Sequence, residues 1–461
     1  MGGLPRRATI IEGLNSEPSN PLVVVDAGNF SWKSGQLSAA ARPQQRRKAQ
    51  LILDAFVHDS VDALGIGTSD LVLGVDWLQG EITQRELPAT LANLTCGEQR
   101  PFPGHQVVVI DGARLGFVGV LSDSAQVEGC AVSNNAQAVR AEMEAMGEVD
   151  LLVVFGHGTN SDDETLASAV TEIDVIINGQ ARVTRVTPKS LPNGAVQLGA
   201  GSRGKKLGVA ELILRPGAEG FSSTGELENL RQRRDGFVER LASAENNLSA
   251  EDESVQQRAE RQVRYFTEEI AEMDAEIAAL TEPVDGVVNE IRVELTELSR
   301  SVRDHPAVAG MLEQAQADIT ALEQAAAVPE LGDTPYMGSA ACSGCHAEIY
   351  AQWQSTAHAR AYATLQVEER ELDRDCFSCH VTGAMDPTGP QHPSQVPPHL
   401  QGVGCESCHG AGRDHMVSPA EGGMVRSPPQ ENCVQCHDGK QDEGRFDWER
   451  YLPMVQHQSP Q

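Results

Sequence analysis

"CESCHGAGRDH", residues 405–415, sets two cysteines and two histidines within eleven positions. Its first five letters are one of four copies of Cys-x-x-Cys-His, the others being "CSGCH" at 342–346, "CFSCH" at 376–380 and "CVQCH" at 433–437. This is the attachment signature of c-type haem. Two thiols at that spacing form thioethers to the two vinyl groups of one porphyrin. The histidine that follows lies where its imidazole reaches the iron as proximal ligand. Paired Cys-x-x-Cys units also hold structural zinc or serve as redox dithiols, but neither use requires His directly after the second Cys. With 13 histidines in 461 residues, four such coincidences would arise about once in a million chains. The pattern therefore assigns covalent attachment to Cys342, Cys345, Cys376, Cys379, Cys405, Cys408, Cys433 and Cys436. It assigns proximal ligation to His346, His380, His409 and His437.

The first cysteines of successive motifs lie 34, 29 and 28 residues apart, so four haems here are close neighbours and form an electron conduit. Residues 335–461 are rich in Pro, Gly, His and Cys and lack long periodic apolar runs. Such a segment does not build a core unaided; the macrocycles are its apolar filling. Each iron takes a sixth ligand or stays open. Five further histidines are available: His358, His392, His399, His415 and His457. His358 lies in the helical stretch "EIYAQWQSTAHARAY". His415 follows His409 by six residues, too short a tether to pass round one macrocycle, so it belongs to a neighbouring haem. These two lead as distal ligands. His392, His399 and His457 follow, each with a solvated surface role as the alternative.

A chain of 461 residues divides into two or three domains. Its net charge of -30 argues against nucleic acid and an anionic membrane surface as partners and fits a basic partner, or none. No run of eighteen apolar residues offers a membrane span, and the opening "MGGLPRRATIIEGL" has no signal-peptide stretch.

Up to about residue 221, short Val- and Ile-rich runs alternate with helix-length stretches. The runs are 22–28, 106–112, 114–121, 150–158, 173–179 and 207–214, and the helices include 46–59 and 135–147. This predicts a layered α/β domain over 1–221. Residues 222–328 read as a helical coiled-coil region. Leu227, Leu230, Phe237, Leu241, Ala244 and Leu248, then Ala259, Val263, Phe266, Ile270, Met273, Ile277 and Leu280, fall on heptad positions. A hairpin follows, with Ser249 and Asp252 at a helix start, Pro283 at the end, and further helices over 284–303 and 307–325. The arm is a solvated spacer or an oligomerisation and docking element.

Residues 335–461 resemble the tetrahaem cytochrome c family of the electron acceptor of hydroxylamine oxidoreductase. "YMGSAACSGCH", "YAQWQSTAHARAY", "CFSCHVTG", "GVGCESCHGAGRDH" and "CVQCH" follow that family's order. The resemblance implies a mostly α and irregular fold, closely stacked haem pairs, His358 and His415 as distal ligands, and an iron that can stay five-coordinate. The first 220 residues resemble the metallophosphoesterase domain of bacterial 5′-nucleotidases, through "NPLVVVDAGNF", "VDALGIGTSDLVLGVDWL" and "LLVVFGHGTNSDDETLASAVTEIDVIINGQAR". Measured against that family, Asn29 replaces the bridging Asp. Thr68 and Ser69 replace an Asn–His pair, and Gln180 and Arg182 replace two histidines. Only His157 keeps a ligand type, and one imidazole does not hold two metals. The resemblance implies an inactive scaffold or docking domain.

Haem attachment occurs outside the cytoplasm, so a periplasmic or extracellular location is expected, with an export signal upstream of this chain. There Cys96 and Cys130 are free to pair. Three functions remain. They are electron relay between redox partner proteins such as other multihaem cytochromes, reduction of a small nitrogen or sulfur compound at an open haem, and a phosphoesterase under redox control.

Overall fold

The computed structural model describes residues 3–16, 21–32, 37–180, 188–201, 204–215, 217–218, 220–223, 226–249, 253–281, 288–326, 328, 330–438 and 446–457. The chain divides into two compact units, residues 1–37 with 48–311, and residues 38–47 with 312–461.

The first unit is built on a six-stranded sheet. Its spatial order is Lys189–Ser190, Val196–Leu198, Val175–Asn178, Leu151–Gly156, Ala113–Val120, His105–Ile110. The inner pairs are parallel and the outermost pair at each edge is antiparallel. Leu151–Gly156 is buried along its whole length, as a parallel strand covered on both faces must be. Alternation sorts its residues. Leu152 and Val154 join Val118, Val120 and Ile176 beneath the helices Asn135–Met146 and Asn160–Ala169. Leu151, Val153 and Phe155 face the other way with Phe117 and Val175. On that side lies a small parallel sheet of Val25–Asp26, Ala63–Gly65 and Ala89–Thr90. Helices Arg42–His58 and Val75–Gln84 supply apolar residues to a third cluster around Leu64 and Ile66. Local signals set these boundaries. Asn134 caps one helix by accepting from the Gln137 N–H, and Thr159 and Asp162 form a reciprocal capping box at the next. Cys96 and Cys130 stand opposite each other on paired strands and form a disulfide.

Helices Glu226–Asn246 and Glu253–Thr281 pack side by side, with Phe237 edge-on to Phe266 at 5.7 Å and Arg234 paired to Asp274 at 3.0 Å. Leu230, Ala244, Ala259 and Met273, all heptad positions, are buried. Asp252 and Pro283, read as helix signals, lie outside the described residues. The reading of 284–303 as helix, and so of 222–328 as helical throughout, is corrected. Asn289–Glu297 is a strand, antiparallel to Lys206–Ile213 and parallel to Phe221–Ser223. The stretch "NEIRVELTE" alternates Ile291, Val293 and Leu295 with charged residues. That period of two outweighs its helix-favouring Glu and Leu content. Ile291 is fully buried in the cluster that contains Phe155.

Most of the helix Pro306–Ala325, expected over 307–325, belongs to the second unit, whose other helices are short and joined by irregular chain: Ser339–Cys342, Ala347–Gln354, Ala361–Val367, Arg374–His380, Cys405–His409, Arg413–Val417, Gln430–Val434 and Trp448–Val455. Its apolar core is Tyr362, Leu365, Phe377 and Val381. Ala315, Ile319, Tyr336 and Leu400 are buried besides, which is still a small apolar core for such a length of chain. Among the described residues no helix is long and apolar enough to cross a membrane.

Phe155 is completely buried and stacks on Phe117 at 5.8 Å. Phe155→Ala is expected to cost about 3–5 kcal/mol, read as a lower urea midpoint for the first unit with an unchanged slope.

Candidate functional site

In the first unit the sequence-predicted positions do converge, around Asn29. Gly28 and Asn29 both adopt positive φ, 88° and 59°, which turns the Asn29 side chain toward the residues that follow Gly65. Its Oδ1 accepts from the Ser69 amide at 3.2 Å and the Ser69 hydroxyl at 2.5 Å, while its Nδ2 donates to the Gly179 carbonyl at 3.1 Å. Asp70 accepts from the amides of Asn29, Ser31 and Gly67 at 2.7–2.9 Å. Burial pushes the Asp70 carboxyl up to about 6 against those three bonds. The two ring nitrogens of His157 face the carbonyls of Val120 and Ala27, at 3.1 and 2.5 Å, and Gln180 Nε2 donates to the His157 carbonyl at 2.6 Å. Burial lowers the His157 pKa, which favours the neutral ring. The neutral amide and hydroxyl groups of Asn29, Ser69 and Gln180 thus bond to backbone and to one another. Thr68 opens the short helix Thr68–Leu71 beside them; Arg182 lies outside the described residues. No group of three or more metal-ligating side chains is found among the described residues.

In the second unit all four motifs sit on short helical turns. The amides of His346 and His437 donate to the carbonyls of Cys342 and Cys433, at 2.9 Å each, so the turn holds the cysteine pair and its histidine together. The motifs also meet one another. The thiols of Cys342 and Cys405 share a hydrogen bond, as do those of Cys379 and Cys436. Burial pushes the Cys408 thiol up to about 11, with Cys433 and Cys405 adding to the effect.

The imidazoles are the most informative groups. His346 faces His415 with ring centres 6.4 Å apart, His437 faces His358 at 6.3 Å, and His409 faces His457 at 5.6 Å. Two imidazoles on opposite sides of one metal, with metal–nitrogen bonds of about 2 Å, place their ring centres about 6.3 Å apart. His409 Nδ1 meets the Val425 carbonyl at 2.6 Å and His380 Nδ1 meets the Ala361 carbonyl at 2.7 Å, which leaves each Nε2 for a metal. Burial, then the neighbouring His437, lowers the pKa of His358 and favours the neutral, ligating form. With the small apolar core, these features fit bound haem.

The remaining candidates stand elsewhere. His392 is buried, with Nε2 2.7 Å from Glu323 and Nδ1 2.7 Å from the Ser394 hydroxyl. His399 is exposed. His380 is the one motif histidine outside a ring pair among the described residues. The sequence gave no notice of the supports around its helix. Arg374 donates to Glu323 at 2.9 and 3.0 Å, and its amide donates to Gln44 at 3.0 Å. No spacing rule links Gln44 or Glu323 to a motif more than fifty residues away.

The family described as "Cytochrome c554 and c-prime" matches residues 341–410. Cytochrome c-554 of Nitrosomonas europaea is 37% identical over 97 residues, covering 18% of this chain and 41% of that protein. The C-type polyheme cytochrome OmcB of Geobacter sulfurreducens is 39% identical over 74 residues, covering 14% of this chain and 9% of that one. The chain thus spans well under half the length of these curated relatives. Among solved structures, a 5′-nucleotidase precursor from Thermus thermophilus aligns with a TM-score of 0.46 and 14% identity, over 72% of this chain and 55% of that one. The sulfate thiohydrolase SoxB of the same organism aligns at 0.47 and 13%, over 73% and 49%. Residues 341–410 therefore resemble cytochrome c554.

The closed hydrogen-bond set around Asn29 predicts no metal-dependent hydrolysis. With excess manganese or zinc, phosphate release from nucleotides should stay at the uncatalysed level. Turnover near the roughly 10 s⁻¹ of ordinary enzymes would show that another set of residues holds metal.

Proposed function

We propose that this chain is an exported multihaem c-type cytochrome that carries electrons through four covalently bound haems. The observation that carries this reading is the set of three facing histidine pairs, each joining a motif histidine to one from elsewhere in the sequence. Cys342 with Cys345, Cys376 with Cys379, Cys405 with Cys408, and Cys433 with Cys436 are the thioether donors. His346, His380, His409 and His437 are the proximal ligands. His415, His457 and His358 are the distal ligands at the first, third and fourth motifs. His392 and His399 stand outside the ligand set.

Bound haem supplies a one-electron couple at each iron. The chain's part is to fix geometry. The carbonyls of Ala361 and Val425 hold the tautomers of His380 and His409 that present Nε2 and raise its basicity. Cys342 hydrogen-bonds to Cys405 and Cys436 to Cys379, which sets the first motif beside the third and the fourth beside the second, as two neighbouring pairs for electron transfer. The α/β region serves as scaffold or docking surface, and the arm of Glu226–Asn246 and Glu253–Thr281 as spacer or oligomerisation element. Redox proteins, among them other multihaem cytochromes, are the partners, in the periplasm or outside the cell.

His380 favours a second reading. A sixth position left open beside it would admit a small nitrogen or sulfur compound, which makes reduction of such a compound the alternative function.

Mass spectrometry of the denatured protein should show four haem additions; bare polypeptide plus zinc would overturn the assignment. The reduced protein should take up one equivalent of carbon monoxide, at the second motif. His358→Ala should raise that to two and add a high-spin signal. An unchanged uptake would remove His358 from the ligand set.

A further inference from the structure

The third motif carries a residue that its own haem does not call for. Glu406 lies between Cys405 and Cys408, yet it is only 3% exposed and its carboxylate points away from solvent into the chain. Oε1 accepts from the Met337 amide at 2.9 Å and the Gly412 amide at 2.7 Å. Oε2 accepts from Gly338 at 2.7 Å and Met337 at 3.1 Å. These amides come from two segments far apart in sequence. Met337 and Gly338 lead directly into the helix Ser339–Cys342, where the first motif begins, four residues before His346. Gly412 precedes the helix Arg413–Val417, which carries His415. One carboxylate therefore grips the root of both histidines in the 6.4 Å pair. The same seam continues outward. The Cys405 amide donates to the Ser339 hydroxyl at 3.1 Å, and the Arg413 amide donates to the Pro335 carbonyl at 3.2 Å.

We propose that Glu406, a residue of the third motif, is the positioning residue for the axial pair His346–His415 of the first. The proposal rests on the haem reading above. A carboxylate suits the task because it has acceptor sites on both oxygens and no donor. It can hold an amide on each side at once. An isosteric amide cannot: glutamine offers one oxygen, and its NH₂ group would face another N–H. In Glu406→Gln one root is released, and the side that lacks a covalent tether is the one that drifts. The first-motif segment is anchored by two thioethers, whereas His415 depends on hydrogen bonds and its own iron bond. Loss of Glu406 therefore frees His415 and opens the sixth position opposite His346, with the other sites unchanged.

The test uses the full haem-loaded chain. Haem additions are first counted by mass for the native protein and each variant, so failure of haem attachment itself is seen before the variants are compared. Glu406→Gln should then keep four additions, gain one equivalent of carbon monoxide uptake over native, and show one new high-spin signal. Added imidazole should return that signal to low spin by replacing the displaced ring. The double variant with His415→Ala should take up no more carbon monoxide than His415→Ala alone. Unchanged uptake and spin state in Glu406→Gln would overturn the proposal, and so would a further opened site in the double variant. Should Glu406→Gln fail to accumulate with four haems, Gly412→Ala decides by the same readouts. It keeps the carboxylate and the Oε2 bonds to Met337 and Gly338, and sets a new Cβ on the His415 segment 3.0 Å from Glu406 Oε1.

Discussion

On the proposed haem reading, the facing imidazoles are the constraint on which the second unit depends. Protein domains order themselves by burying aliphatic side chains, and here Tyr362, Leu365, Phe377 and Val381 are the cluster that does so. On that reading the chain is ordered instead by three pairs of rings, two at metal-bridging distance and the His409–His457 pair at 5.6 Å, each joining positions between 48 and 79 residues apart. Such a pair closes a long loop at one point, and its strength comes from coordination rather than from apolar area. The short helices need no packing faces of their own. They have only to present two thiols and a ring in the right order.

The first unit follows the opposite logic. Its strands are sorted by alternation into two buried layers, and its stability comes from side chains such as Phe155 and Val154. Where the resemblance implies metal ligands, Asn29, Ser69 and Gln180 form a closed set of hydrogen bonds with backbone and one another. A buried cluster of carboxylates without metal would repel itself. Neutral amides and hydroxyls remove that cost and keep the loops joined. Asp70 survives as a structural acceptor for three amides.

What the sequence made legible follows from how local each determinant is. The thioether cysteines and proximal histidines had to be contiguous, so they could be read as letters. The sheet strands were readable because burial on both faces leaves continuous Val and Ile runs. The partners of the motif rings are harder to read, because a ring can arrive from any distance. His358 and His415 stand out in the sequence and each meets a motif ring, whereas His457 ranks there with His392 and His399, although only His457 of those three meets a motif ring. The strand at Asn289–Glu297 was taken for helix because its composition spoke louder than its period of two. Glu406 was in plain view as an unspecified letter of a motif. Nothing in one dimension says that it accepts amides from two remote segments.

The meeting of thiols between motifs has a chemical consequence for how this protein is made. Cys96 and Cys130 form a disulfide, so the folded chain is compatible with an oxidising compartment. The sulfurs of Cys342 and Cys405 are neighbours in the fold, as are those of Cys379 and Cys436. Thiols that close are also suited to oxidise against each other, which would cross-link two motifs and deny both their porphyrins. On the haem reading, maturation would set these two fates of the same sulfur atoms against each other. It favours loading each motif as the chain emerges, or a dedicated reductant that holds the eight cysteines open while the other two are allowed to pair.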